Sequence, residues 1–250
     1  MNDIAHVELG DGIAGLQTLD AGSASLVLSD LPSGATQAEF DIEADLPMLW
    51  PAIWHALKPD GIAVLMASSL RFASRVLNSQ DRYFRCDLIW SKSLATGHLN
   101  AKRAPLRAHE FILVFSRAVG TYHPQMAQGA SPIHAARRTS SGENYGPDTY
   151  VTESRAGATD RFPTSVLEFA SVGTSSKARV HPQQKPEPLL RWLIRTYTNP
   201  GDLVVDPYAG SGSTGKSALA EGRRFHGWDI SPRFAATNEP TQQLTKASIL

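Results

Sequence analysis

The chain has 250 residues, with 24 basic and 24 acidic side chains and a formal net charge of zero. This length suits one α/β domain with a sizeable core, and the ordinary hydrophobic and charged fractions exclude a disordered or collagen-like chain. The single cysteine, Cys86, excludes an intramolecular disulfide, and neither a secretory leader nor a membrane-length apolar run is present, so we expect a soluble cytoplasmic protein.

The charge is unevenly distributed along the chain. Residues 1–60 carry ten acidic residues against the single Lys58, whereas residues 61–118 carry nine Lys or Arg residues against three acids. This division indicates a basic face that meets a polyanion, or solvated charges that happen to alternate in blocks.

The first half of the chain alternates strand and helix patterns. Residues 7–11 and 24–30 are short apolar runs that end at an acidic residue, as is typical of buried parallel strands with functional carboxyl ends. The elements predicted after them are a helix at 46–57, a strand at 62–68, a helix at 70–80, and strands at 85–92 and 110–117. This alternation predicts a parallel, doubly wound sheet.

The pattern is lost from residue 120 to about residue 179, where Gly, Ser, Thr, Pro and Arg dominate and only 165–170 could form a strand. A connection of this length is a functional lid, a binding loop or a disordered segment. The elements predicted after it are a helix at 186–198, a strand at 203–206, a helix at 213–222 and a strand at 223–230. Residues 239–250 are predicted to form a polar tail.

The glycine turn between residues 206 and 217 fits two kinds of nucleotide site. "GSGSTGKS" matches the phosphate loop of nucleoside triphosphatases, for which Asp30 could supply the magnesium ligand. That interpretation leaves Asp206, "GWD" and "HPQQKP" without a role. In the alternative, Asp206 and the turn surround S-adenosylmethionine at a helix N-terminus, and Asp229 accepts hydrogen bonds from ribose hydroxyls. We favour the alternative, which places Lys216 within a helix.

The motifs together resemble the amino-group DNA methyltransferases (adenine-N6 or cytosine-N4) of the permuted beta class, particularly phage-type modification methylases. The segments that carry the resemblance are "GDGIAGLQTL", "VLSDLPSG", "LKPDGIAVLMAS", "AHEFILVFSR", "HPQQKPEPLL", "GDLVVDPYAGSGSTG" and "GRRFHGWDIS". The resemblance implies a Rossmann-like, circularly permuted fold with a seven-stranded, mostly parallel sheet whose last strand is antiparallel. Residues 1–119 and 180–238 would form this domain, and 120–179 would be an inserted target-recognition or lid segment.

The same resemblance assigns two groups of site residues. It implies S-adenosylmethionine contacts at Asp11, His181, Gln183, Lys185, Asp206, Tyr208, Ala209, Gly210, Gly212, Thr214 and Asp229. It implies a catalytic segment made of Asp30, Leu31, Pro32 and Ser33. The Asp30 carboxylate and the Pro32 carbonyl would accept the hydrogens of an exocyclic amine, favoured as adenine-N6 with cytosine-N4 second, in a base flipped out of the helix. No metal and no covalent intermediate are expected.

The catalytic segment departs from the family pattern at Ser33, where the family has an aromatic residue that stacks on the flipped base. Base–aromatic stacking is worth roughly 1 to 3 kcal/mol. Phe40 or Trp90 could supply another ring. Otherwise, the serine makes room for an unusual or already modified base, or the protein is a catalytically degenerate DNA-binding relative.

Double-stranded DNA is the partner that the resemblance implies, and a homodimer is left open. We predict phosphate contacts from Lys92, Lys102, Arg103 and Arg107, which lie on one basic connection. Arg137, Arg138, Arg155 and Arg161 would read bases if their segment is an ordered recognition loop rather than a disordered one. The "HE" pair at 109 and 110 is predicted to be structural rather than catalytic.

Overall fold

A computed structural model describes residues 6–34, 42–129, 131–132, 155–173 and 184–232. Several predicted features lie outside the described residues: Phe40, Arg137, Arg138, His181, Gln183 and the polar tail at 239–250. None of the described helices is both long and apolar enough to cross a membrane.

The described chain forms ten strands, five α-helices and two short 3₁₀ helices, at Asp81–Tyr83 and His98–Asn100. The strands are β1 (His6–Leu9), β2 (Ala24–Asp30), β3 (Leu57–Ala67), β4 (Phe84–Thr96), β5 (Arg107–Ser116), β6 (Ala127–Gln128), β7 (Asp160–Arg161), β8 (Val166–Phe169), β9 (Leu203–Asp206) and β10 (Arg224–Asp229). The helices are α1 (Gly12–Thr18), α2 (Leu46–Ala56), α3 (Leu70–Ser79), α4 (Glu187–Tyr197) and α5 (Ser213–Ala220).

Two compact units divide the chain. One comprises residues 1–123 and 165–250, and the other comprises residues 124–164. In the smaller unit β6 and β7 form an antiparallel pair, and the Arg155 guanidinium lies 2.5 Å from Asp160. The strand at 166–169 belongs to the larger unit, whereas the predicted inserted segment, 120–179, includes it. The role of that segment in target recognition stays a prediction.

The larger unit is built on one sheet in the order β1-β10-β9-β2-β3-β5-β4-β8. All neighbouring strands pair in parallel except at β5, which is antiparallel to both β3 and β4. A mostly parallel, doubly wound α/β fold is therefore confirmed. Two details differ from the expectation: β8 adds an eighth strand by pairing with β4, and the antiparallel strand is β5 rather than the last strand of the chain.

Helices cover both faces of this sheet, which explains the continuous apolar strands. One core packs α1, α2 and α3 against the sheet through residues such as Leu16, Leu49 and Phe72. The other packs α4 and α5 through Leu189 and Ala218. Strand β2 is buried along nearly its whole length, as expected for a parallel strand with both faces covered.

Acidic residues end three neighbouring strands at the carboxyl edge of the sheet. Asp229 ends β10, Asp206 ends β9 and Asp30 ends β2. From β9 the chain crosses toward β10, whereas from β2 it crosses toward β3, so the winding direction reverses between β9 and β2. Ligands of doubly wound folds bind in the crevice at such a point.

Candidate active site

A cleft of about 290 Å³ lies at this reversal point. Its lining includes ten of the predicted site residues: Asp11, Asp30, Pro32, Lys185, Asp206, Tyr208, Ala209, Gly210, Thr214 and Asp229. Leu31, Ser33 and Gly212 do not line the cleft, but each is next in sequence to a residue that does. The folded chain thus places the two predicted groups, which are far apart in sequence, around one cavity.

Asp206 is the buried centre of the cofactor side of the cleft. Its Oδ1 accepts hydrogen bonds from the Ser29 hydroxyl at 2.7 Å and from the Tyr208 amide at 3.0 Å, and its Oδ2 accepts one from the Thr214 hydroxyl at 2.8 Å. Burial raises the pKa of Asp206 to about 6, against the lowering effect of these hydrogen bonds. Among the described residues the donors to this carboxylate are neutral, which favours a cationic ligand beside it.

The glycine turn is tied to the end of β10. The Gly210 amide donates to Asp229 Oδ2 at 2.9 Å, and the Ser231 amide donates to Asp229 Oδ1 at 2.7 Å. Gly210 and Gly212 have φ angles of +50° and +69°, which a side chain would disfavour. A Cβ at Gly210 would meet only the Tyr208 carbonyl oxygen at 3.9 Å, so this backbone borders open space in the cleft.

The two residues that define the end of the phosphate-loop motif, Lys216 and Ser217, lie outside the cleft lining. Lys216 is exposed and Ser217 is buried within α5. The Thr214 hydroxyl donates to a carboxylate instead. This geometry favours the interpretation in which the turn holds a cofactor other than a triphosphate.

The catalytic segment continues directly from β2. The Leu31 amide donates to the Met66 carbonyl at 3.3 Å and the Pro32 carbonyl accepts from the Ala44 amide at 3.0 Å, so the backbone is fixed on both sides. The Ser33 hydroxyl lies 3.3 Å from the Ser68 hydroxyl. A carbonyl oxygen has two lone pairs, so the Pro32 carbonyl keeps an acceptor position for a ligand.

Trp90 does not provide the missing aromatic platform. Its side chain is 3% exposed in the core of β4, and its indole N–H donates to the Phe169 carbonyl at 2.9 Å. Trp90 is also not among the residues that line the cleft. The suggestion that it replaces the stacking ring is therefore not supported by its position.

Lys185 lies between two carboxylates. Its ammonium donates to Asp30 Oδ2 and lies 3.3 Å from Glu110 Oε2, while the Lys92 ammonium lies 3.2 Å from Glu110 Oε1. Burial opposes the charge of Lys185, but Asp30 and Glu110 outweigh it and raise the pKa of Lys185. Burial also acts to raise the pKa of Glu110, but Lys185 and Lys92 outweigh it and lower that pKa. Lys185 and Glu110 are therefore both charged at neutral pH.

The predicted DNA contacts differ in accessibility. Lys102 and Arg103 are exposed on the connection between β4 and β5, at the carboxyl edge where β2 ends, and Arg107 is exposed at the start of β5. The Arg107 guanidinium donates to the Ser68 carbonyl. The side chain of Lys92 is only 6% exposed and its ammonium is paired, so this residue is not placed to contact a phosphate.

Several lining residues were missed by the sequence analysis. Ile42 and Ile230 are 68% and 55% exposed and give the cleft an apolar rim. Ile230 directly follows the acidic end of β10, and this position was its only signal in the sequence. A serine in an apolar strand is unremarkable by itself, so the sequence gives no signal for Ser29. Its hydrogen bond to Asp206 in the structure identifies it.

Comparison with known proteins gives consistent similarities. A family model described as a DNA methylase matches residues 48–239. The DNA adenine methyltransferase YhdJ of Escherichia coli (strain K12) is 24% identical over an alignment of 257 positions. The alignment covers 93% of this chain and 81% of that protein. The type II methyltransferase M.XycI of Xanthomonas campestris pv. cyanopsidis is 28% identical over 194 residues, which cover 78% of this chain and 52% of that protein.

Solved structures show the same fold. The M1.HpyAVI–SAM complex aligns with a TM-score of 0.62 at 19% identity, covering 94% of this chain and 97% of that one. The cytosine-N4-specific PvuII DNA methyltransferase aligns with a TM-score of 0.65 at 18% identity, covering 98% of this chain and 89% of that one.

Proposed function

This chain belongs to the N6/N4 DNA methylase family, and on that premise we propose that it transfers the methyl group of S-adenosylmethionine to the exocyclic amine of a flipped adenine in DNA. The observation that carries the proposal is that Asp30 and Pro32 line the same cleft as Asp206 and Asp229. This arrangement brings a pair of hydrogen-bond acceptors next to an acidic cofactor pocket.

The residues on the cofactor side fit S-adenosylmethionine. Its sulfonium and ammonium groups are cations, and the cleft is lined by the carboxylates of Asp11, Asp206 and Asp229. The Asp229 oxygens are oriented by two backbone amides and retain acceptor positions for ribose hydroxyls. The exposed Ile230 side chain offers apolar surface to an adenine ring. When bound, this cofactor supplies an electrophilic methyl group.

The catalytic segment is suited to activating an amine. The nitrogen lone pair of an exocyclic amine is delocalised into the ring, so it is a poor nucleophile. Two acceptors at Asp30 and the Pro32 carbonyl, one for each amine hydrogen, favour a tetrahedral nitrogen and fix its direction. No covalent bond to the protein is needed for such a transfer.

DNA would approach the exposed basic connection beside this cleft. Lys102 and Arg103 would contact phosphates, which gives affinity without sequence information. The target base would leave the helix to reach Asp30, because the amine is not accessible to the cleft inside a duplex. Adenine is favoured over cytosine because an aspartate opens the catalytic segment and because YhdJ is named as an adenine methyltransferase.

The first test is mass spectrometry of nucleosides from DNA incubated with the purified protein and methyl-labelled S-adenosylmethionine. We expect labelled N6-methyladenine, and an approximately 1,000-fold or greater loss in Asp30→Ala. Asp20→Ala, which removes an exposed aspartate outside the cleft lining, is the matched control and should keep full activity.

Other outcomes of this test have separate meanings. Labelled N4-methylcytosine that disappears in Asp30→Ala would mean that the target base is cytosine and that the proposed methyl transfer to an exocyclic amine is correct. Label found only on DNA that already contains modified bases would support the altered substrate suggested by Ser33. Cofactor binding without label on any DNA would identify a degenerate relative.

A further inference from the structure

Four charged side chains from separate elements form a buried row that ends at the catalytic carboxylate. Asp30 ends β2, Lys185 precedes α4, Glu110 lies in β5 and Lys92 lies in β4. We call Asp30, Lys185, Glu110 and Lys92 the charge row. The charges alternate along it, and the side chains of Lys185 and Glu110 are only 10% and 13% exposed.

We propose that Glu110 and Lys92 are positioning residues for methyl transfer, because they fix the Lys185 ammonium that in turn orients the Asp30 carboxylate toward the target amine. This inference rests on the proposed function. It also changes the role of Lys185 from the predicted cofactor contact to a partner of Asp30.

The geometry explains why such support is useful. Asp30 is the last residue of its strand, so its carboxylate needs a second attachment to keep one orientation. A carboxylate has about four acceptor positions, so an ammonium at Oδ2 is compatible with an amine hydrogen at the other oxygen. The Glu110 anchor sits in β5, which is hydrogen-bonded to a strand on each side. The row therefore connects the catalytic acid to a rigid part of the sheet.

Burial makes the pairing within the row obligatory. A buried ammonium without a carboxylate is costly, and removal of one partner leaves an uncompensated charge. The row holds two positive and two negative groups, and both Lys185 and Glu110 contact opposite charges on two sides. Lys185 and Glu110 are thus held by their charged neighbours rather than by solvent.

The charge of Lys185 also suits the proton balance of the reaction. The amine nitrogen forms a bond to the methyl carbon while the carbon–sulfur bond breaks, and that electron pair stays on sulfur. The nitrogen becomes cationic and loses a proton to Asp30 or to water. Lys185 is already an ammonium and cannot take this proton, so its role is to keep Asp30 ionised and oriented before transfer.

The experiment compares kcat with cofactor and DNA affinity in charge-row variants. The double variant Glu110→Gln with Lys92→Met removes one charge of each sign, so the remaining Asp30–Lys185 pair stays neutral. We expect its kcat to fall about tenfold and Lys185→Met to lose about 100-fold, because loss of orientation acts on the reacting geometry. The S-adenosylmethionine Kd and the KM for DNA should change less than twofold, and Lys185→Arg should recover part of the rate.

A matched control is present on the opposite edge of the sheet. Lys58 lies 3.1 Å from Asp202 and donates to Ser25, so Lys58→Met removes an ion pair outside the charge row, although this lysine is more exposed than Lys185. Its kcat should equal that of the parent protein. If the parent protein is active and the double variant keeps its full kcat, the positioning role is overturned. A tenfold weaker cofactor Kd in Lys185→Met would also overturn it.

A second measurement keeps the inference separate from the proposed function. A buried, paired ammonium exchanges its hydrogens slowly, so we expect a lysine Nζ signal in ¹H–¹⁵N spectra that is lost in Lys185→Met and shifted in both Glu110→Gln and Asp30→Asn. Absence of that signal would contradict the charge row. A wild-type protein that shows the signal but methylates no DNA would contradict the proposed function instead.

Discussion

The two sides of the cleft hold their central carboxylates in different ways. Asp206 on the cofactor side is held by neutral hydroxyl and amide donors, and burial raises its pKa to about 6. Asp30 on the catalytic side is held by the Lys185 ammonium, which is itself paired with Glu110. Among the described residues no cation pairs with Asp206, so a cationic ligand would lower its raised pKa, whereas the catalytic acid has a resident cation. Changes in pH and charge should therefore separate the two sides.

The largest effect is expected from pH on the cofactor side. The folded pKa of Asp206, about 6, is above its ordinary value of 3.8, so the folded state binds more protons than the unfolded state between these values. The stability that this group contributes is present at low pH and lost as pH rises through about 6. Between pH 4.5 and 7 the loss is about 2 kcal/mol of unfolding free energy.

Urea unfolding of the cofactor-free protein and of Asp206→Asn across this range measures that loss. The difference in unfolding free energy between the two proteins should change by about 2 kcal/mol, because the asparagine does not titrate there. Equal pH profiles would mean that Asp206 is ionised throughout. They would also remove the contrast with Asp30.

An intermediate effect is expected from restoring the aromatic on the catalytic side. Ser33→Tyr should raise methyl transfer about fivefold if the site lacks only a stacking surface, since stacking on a base is worth roughly 1 to 3 kcal/mol. The double variant Asp30→Ala with Ser33→Tyr should remain inactive, as its control. A marked fall in rate in Ser33→Tyr would favour a substrate that needs the space that a larger side chain at position 33 would fill.

The smallest effect on the methyl-transfer step itself is expected outside both sides of the cleft, where only DNA binding should change. Lys102→Ala with Arg103→Ala should weaken DNA binding about three- to tenfold and lower the slope of log affinity against log salt by about 2, as for two phosphate contacts. Cofactor affinity should not change. Lys216→Ala, which removes an exposed lysine of α5, is the control, and an unchanged salt slope in the double variant would exclude the connection from the DNA interface.

Most of the larger unit could be predicted from local sequence. The bounds of β2 and β9 match the predicted 24–30 and 203–206, because each is a continuous apolar run between turn residues that ends in an aspartate. The convergence of Asp30, Asp206 and Asp229 also followed, since the carboxyl ends of parallel strands meet at one edge. The place of β8 could not be predicted, because four residues of weak alternation do not specify a partner strand.

The charge row shows what local reasoning cannot reach. Lys185 and Asp30 are 155 positions apart, and their contact depends on how the segment before α4 enters the cleft. Lys92 was assigned to DNA because its neighbours along the chain are basic. Its inward orientation depends on the pairing of β4 with β5, where Ser91 aligns with His109 and leaves Lys92 beside Glu110.

The reversed direction of β5 has a consequence for how this protein can vary. Because β4 and β5 are antiparallel neighbours, residues 97–106 close a hairpin and need no crossover helix. A hairpin loop can lengthen, shorten or accept an inserted module while the strands beneath it keep their register. Relatives could thus exchange the surface that we propose to meet DNA through this loop alone, while Glu110 a few residues later keeps its proposed support of Asp30.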